Sequence, residues 1–163
     1  MRVAILTLSD KGSRGERQDA SGPALAAWLT EQGCSVVATA ILPDEQREIA
    51  AMLADWADRD RADLILTTGG TGVSPRDITP EATAAVVERV IPGIGELMRL
   101  RSLEVTKTAM LSRAMAGIRR QSLIINLPGS PKGAVECLEA VWQLIPHAVE
   151  KIRGDQRDCA GRF

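Results

Sequence analysis

Tyrosine is absent from this 163-residue chain, phenylalanine occurs once and tryptophan three times. So thin an aromatic supply does not build the stacking platform that single-stranded nucleic acid requires. The single histidine, His147, excludes a His-rich metal centre and a double-histidine acid–base pair. Cys34, Cys137 and Cys159 are odd in number and far apart, with no CxxC pair. They offer no disulfide framework, and such usage is expected of a reducing, cytoplasmic setting. Neither sign of charge is in excess: 20 Lys and Arg against 21 Asp and Glu leave a formal net charge of −1. No general attraction to nucleic acid or to an anionic membrane surface follows from that balance. No apolar run approaches the length of a membrane span, and no basic-then-apolar leader follows Met1. Two nucleotide signatures are missing as well. G-x-G-x-x-G does not follow the first strand, and G-x-x-x-x-G-K-[ST] occurs nowhere; Lys132 lies near glycines at the wrong spacing.

What is present has the balance of a globular protein, with 45% hydrophobic and 25% charged residues. The length suits one domain over residues 1–163 with a full three-layer core, its polar tail from about residue 154 loosely held. Buried-strand patterns run over Arg2–Leu8, Ser35–Leu42, Leu64–Thr67 and Ser122–Leu127. Helical spacing predicts helices over Pro23–Gln32, closed by Gly33, and from Pro43-Asp44 with Ile49, Met52, Leu53 and Trp56 on one face. Further helices are expected over Pro80–Val87 and from Pro92 to about Thr106. A last one puts Val135, Leu138, Trp142 and Ile145 on one side, with Pro146 interrupting it. Ser112–Gly117 reads as a turn-rich segment. Strands alternating with helices predict an α/β fold: three layers, α/β/α, with a doubly wound, mostly parallel sheet.

The stretch from Asp63 to Ala82 holds the most chemistry. Strand Leu64–Thr67 stops at Thr68, Gly69, Gly70 and Gly72 follow around Thr71, and Ser74-Pro75-Arg76-Asp77 leads to Thr79-Pro80-Glu81. Thr79 reads as an N-cap with Pro80 at the first helical position. Strand, glycine loop and helix start make an anion cradle, and Asp77 within it makes sense if a divalent cation stands between carboxylate and phosphate. The other reading is a tight turn with Asp77 as a turn former. Ligands of such sheets sit beyond the carboxyl ends of the strands, where strand order reverses. Ser9-Asp10, Pro43-Asp44, the glycine loop and Pro128-Gly129-Ser130 all fall at that edge, so Asp10, Asp44, Asp77 and Ser130 are placed to share one cleft. Asp44 as a helix cap, Asp10 as a turn residue and Ser130 as a loop former are the structural alternatives.

Five blocks in order carry a resemblance: Leu66-Thr67-Thr68-Gly69-Gly70-Thr71-Gly72, Arg76-Asp77, Pro92-Gly93-Ile94-Gly95-Glu96, Ser112-Arg113-Ala114-Met115-Ala116-Gly117 and Leu127-Pro128-Gly129-Ser130-Pro131. Together they resemble the MogA/MoaB family of molybdenum-cofactor biosynthesis, from Ser9-Asp10 to about Ile145. The resemblance implies a three-layer α/β domain, usually trimeric, that binds molybdopterin. In the MogA branch it implies a molybdopterin adenylyltransferase, which uses Mg²⁺ and ATP to attach AMP to the terminal phosphate of molybdopterin and releases pyrophosphate. A MoaB-type protein that binds the pterin without efficient transfer, or a trimeric assembly module, are the alternatives. The same domain occurs within larger molybdate-inserting proteins, the class expected to receive the product, and in a receptor-clustering scaffold; 163 residues leave no room for their extra domains.

Carried over by position, Asp44 and Asp77 match two functionally important aspartates of the family, expected to be catalytic and to hold or orient Mg²⁺. Ser9, Asp10, Thr68, Gly69, Gly70, Thr71, Gly72, Pro128, Gly129 and Ser130 match segments lining the ligand cleft, and Glu96 and Ser112 match further polar positions. Arg113, beside Ser112, is the cation favoured for the pterin phosphate. It comes from a stretch in which Arg99, Arg101, Lys107, Arg119 and Arg120 otherwise read as solvated charge. Two positions depart from the pattern: Lys11, where arginine is frequent, and Arg119-Arg120, where a glycine often precedes the fourth strand.

Overall fold

Three near-continuous apolar runs set the architecture: Arg2–Leu8 (β1), Leu64–Thr68 (β3) and Ser122–Leu127 (β6). The last two are buried at every position, the pattern of parallel strands covered on both faces. The computed structural model describes residues 1–155 and arranges six strands in the order β2-β1-β3-β6-β5-β4. Here β2 is Ser35–Leu42, β4 is Arg89–Val90 and β5 is Ala116–Arg119. Pairing is parallel from β2 through β1 and β3 to β6, and antiparallel from β6 to β5 and from β5 to β4. The three-layer, doubly wound, mostly parallel sheet expected from the sequence is what forms.

Helices follow at Asp10–Ser13 (α1), Ser21–Glu31 (α2), Gln46–Asp58 (α3), Thr79–Ala84 (α4), Pro92–Leu103 (α5), Pro131–Val141 (α6) and Ile145–Ile152 (α7). Alternate residues of each strand feed opposite layers. Val3, Ile5, Leu64 and Leu66 pack beneath helices α2, α5, α6 and α7 with Leu25, Leu29, Leu138 and Ile145. Ala4, Leu6, Ile65 and Ile124 pack beneath α3 and α4 with Ile49, Leu53 and Trp56. At the outer seam of α2 and the turn after α6, the Trp28 and Trp142 rings meet edge to face with centroids 4.9 Å apart.

Several boundaries differ from the sequence reading. Two strands were missing from it: β4, only two residues long, and β5, which overlaps the segment read as turn. Neither has a run of β-branched residues; pairing with β6 makes β5 a strand. The helix after β2 starts at Gln46, and Asp44 does not cap it. Helix α4 starts at Thr79 with Ile78 at the cap position, and it ends at Ala84, short of Val87. The Thr79 hydroxyl instead donates to the Gly69 carbonyl (2.9 Å). Pro146 lies in the first turn of α7, and a tight turn at Trp142–Leu144 makes the break. Most of the tail expected to be loosely held, residues 156–163, lies outside the described residues; Asp155 still donates its amide to the Glu150 carbonyl (3.0 Å).

Candidate functional site

Strand order reverses at the centre of the sheet, because β1 leads to β2 on one side while β3 lies on the other. The loops leaving β1 and β3 therefore part at their carboxyl ends and leave a crevice between them. A cavity of about 440 Å³ fills it, bounded by Ser9, Asp10, Asp44, Thr68, Gly69, Gly70, Asp77 and Gly129 from the sequence-predicted set. A second cavity of about 860 Å³ lies beyond the glycine loop, against α5 and α6, and takes Thr71, Gly72, Ser112, Pro128 and Ser130. The loop from Gly69 to Asp77 is thus a wall between two chambers. Glu96, exposed on α5, and Arg113 line neither.

The wall depends on backbone that few residues tolerate. Gly69 and Gly70 sit at φ +108° and +62°. A Cβ on Gly70 would reach 2.9 Å from Asp44 Oδ1 and crowd the Thr79 hydroxyl. Thr79 donates its amide to the Gly70 carbonyl (3.1 Å), so the first amide of α4 is spent on the loop and not offered to a ligand. Among the described residues, the amides of Gly70, Thr71 and Gly72 have no protein acceptor. Thr68 fastens the β6 loop by donating its hydroxyl to the Pro128 carbonyl (2.7 Å). Ser9 and Ser130 each cap a helix, accepting the amides of Gly12 (3.0 Å) and Gly133 (3.1 Å).

Asp10 and Asp44 are locked by reciprocal bonds. Each accepts the other's backbone amide on its carboxylate, both at 3.1 Å. Arg76 spans Asp10 through two bonds (3.0 and 2.8 Å) and reaches Glu45 at 2.9 Å. The Arg76 guanidinium, helped by the Asp44 amide, holds the Asp10 carboxyl below its ordinary range. Burial pushes Asp44 the other way; its bond from the Asp10 amide opposes this, and the charges of Asp10 and Asp77 add to the rise. Asp77 accepts the Ser74 amide at 2.8 Å, and a Cβ on Gly72 would stand 2.9 Å from the same carboxylate oxygen. Carboxylates from three loops reach this rim, each already accepting a backbone amide, and Asp10 is also paired with Arg76. Among the described residues no group of three or more His, Cys, Asp or Glu is placed to hold a metal ion, so a cation here would draw most of its ligands from phosphate and water.

Sequence reasoning missed Asp19. Its carboxylate accepts the Thr7 hydroxyl (2.7 Å) and the amides of Ser21 (3.0 Å) and Gly22 (3.1 Å), and it lines the first cavity beside Arg17, Gln18 and Ser21. The signal was an Asp two residues before a Ser-Gly helix start, which is an Asx cap. The clamping roles of Arg76, in a polar loop, and of Arg99, which donates from helix α5 to the carbonyls of Ser112 and Ala114, were missed too, since an arginine announces no partner by its position in the sequence.

Residues 4–147 match the family described as "Probable molybdopterin binding domain". The chain belongs to the MogA/MoaB family. Among its family relatives, the molybdopterin adenylyltransferase of Helicobacter pylori strain J99 is 46% identical over 157 residues, covering 95% of this chain and 89% of that protein. The molybdopterin biosynthesis enzyme MoaB from Thermus thermophilus superposes with a TM-score of 0.88 at 54% identity, covering 94% and 96% of the two chains. The tungsten cofactor synthesizing protein MoaB from Pyrococcus furiosus does so with a TM-score of 0.84 at 34% identity, covering 93% and 96%. Family membership makes molybdopterin handling the shared property.

Proposed function

We propose that the protein is a molybdopterin adenylyltransferase, a cytoplasmic homotrimer of single domains that passes its product to a molybdate-inserting protein. The observation that carries this reading is the wall. One glycine-rich loop separates an acidic chamber from a larger one, so two anionic substrates can approach the same loop from opposite sides. ATP occupies the first chamber, where Asp44 and Asp77 would hold Mg²⁺. Molybdopterin occupies the second, between Ser112, Thr71 and the Pro128–Ser130 loop. The acceptor-free amides of Gly70, Thr71 and Gly72 grip phosphate oxygens at the junction.

A terminal phosphate oxygen of the pterin attacks the α-phosphorus, a new P–O bond forms, and the bond to pyrophosphate breaks. Both partners are strongly anionic, so positioning and charge neutralisation supply most of the rate and no protein nucleophile is needed. Bound Mg²⁺ would supply charge neutralisation on the phosphates. The chain's own contribution is to hold Asp10 and Asp44 in register and to keep the wall in shape.

A second reading, binding of molybdopterin without efficient transfer, draws on the 54% identity to a MoaB and rests more directly on family membership. Incubation with molybdopterin and Mg-ATP, followed by assay of pyrophosphate and adenylated pterin, separates the two. Turnover supports the transferase; tight pterin binding with no pyrophosphate supports the binder.

A further inference from the structure

The geometry points to Arg113 as a positioning residue: it holds the wall in the shape that presents Asp77 to the first chamber, and it does not itself bind the pterin. This deepens the reading above and rests on it for the identity of the two ligands. The Arg113 guanidinium donates through Nε to the Gly72 carbonyl (2.7 Å) and through Nη2 to the Asp77 carbonyl, while Nη1 pairs with Glu81 in the first turn of α4. Its backbone amide donates to the Thr71 carbonyl at 2.8 Å. Four contacts from one residue thus reach the middle of the wall, its far end and the helix beyond.

Arg113 is itself held from the other side. Arg99 Nη1 donates to the carbonyls of Ser112 (3.3 Å) and Ala114 (3.0 Å), the residues that flank it. The path from α5 to Asp77 is therefore continuous through hydrogen bonds. Its last link matters because the Asp77 carboxylate rests on the wall, where it takes the Ser74 amide and lies against Gly72. Releasing the Gly72 and Asp77 carbonyls frees the segment that aims that carboxylate. A planar guanidinium spreads its donors over a fixed fork and reaches two carbonyls and a carboxylate that lie apart; an ammonium group presents its three donors from a single nitrogen.

The test compares Arg113→Ala and Arg113→Lys with the full-length parent. Hydrogen exchange follows the bonded amides of Ser74, Asp77 and Thr79 in the wall and at its end, calorimetry gives the molybdopterin Kd, and steady-state adenylation gives kcat and KM. Both variants should exchange faster along the wall, keep the pterin Kd and KM within about threefold, and lose about 10²-fold in kcat. A pterin Kd raised tenfold or more, or wall exchange unchanged in both variants, overturns the assignment. If the alanine variant does not fold, the lysine variant decides, since it keeps charge and most of the length. A parent that binds the pterin but releases no pyrophosphate sinks the transferase reading alone, and exchange with Kd still decides the role of Arg113.

Discussion

Asp44 and Asp10 sit in reciprocal contact yet are pushed in opposite directions. Arg76 stabilises the charge on Asp10, whereas burial and two neighbouring carboxylates work against the charge on Asp44. A carboxylate kept where its charge is unfavourable is expected where function needs that charge and stability does not. Asp44→Asn keeps an acceptor for the Asp10 amide and removes the repulsion. Its Tm should equal or exceed that of the parent in thermal denaturation, while adenylation falls by about 10²-fold or more. For Asp77→Asn the same loss of turnover is expected with pterin binding intact; an Asp77→Asn protein that adenylates at full rate would remove the carboxylate from the mechanism. The aspartates themselves could be picked out in the sequence, because Asp77 sits in a glycine loop and Asp10 and Asp44 follow the ends of apolar runs. The arginines that hold them could not, since a guanidinium reaches partners 31 and 66 positions away.

Elements show the same division. Strands β1, β2, β3 and β6 could be read because their apolar runs are local and long. The hairpin joining β5 to β6 could not, and it shows why a glycine is frequent where this chain has Arg119-Arg120. Arg120 adopts φ +51°, a left-handed conformation that costs a side chain about 1 kcal/mol and glycine almost nothing. Allowing for the greater unfolded-state freedom of glycine, Arg120→Gly should stabilise the protein by about 0.5 kcal/mol in urea unfolding. Beneath the wall, the buried Asn126 amide donates to the hydroxyls of Thr67 (3.0 Å) and Thr83 (2.9 Å), tying β6 to β3 and α4. Removing it leaves two hydroxyls without their donor in the interior. Asn126→Ala is expected to cost about 2 kcal/mol in the same measurement.

At the scale of the molecule, the candidate site and a charged clasp occupy opposite edges of the sheet. Near the start of β1, Asp63 accepts Arg2 through its backbone amide (2.6 Å) and guanidinium (2.8 Å) and accepts Arg153 at 2.6 Å. Burial raises the Asp63 pKa, but the bonds and charge of Arg2, with the charge of Arg153, outweigh it and hold the carboxyl below its ordinary range. A folded-state pKa below the unfolded one gives stability that is complete above the unfolded value and lost as pH falls through the folded value. Asp63→Asn should therefore cost about 2–3 kcal/mol at neutral pH, and the gap from the parent should narrow as both are acidified from the ordinary aspartate range down through the lowered folded-state value. No helix among the described residues is long and apolar enough to cross a membrane. Sedimentation at micromolar concentration should give the mass of three 17.5 kDa chains if the proposed trimer forms.

The chain's own order of residues determined the fold class, the four long strands and the list of polar loops at the carboxyl edge, because each is written in neighbouring side chains. Only tertiary structure decided that those loops bound two chambers rather than one, that Asp10 and Asp44 brace each other, and that Arg113 grips the wall from behind. Those facts depend on the order in which strands pair and on side chains meeting across it, and hydrophobic period carries neither.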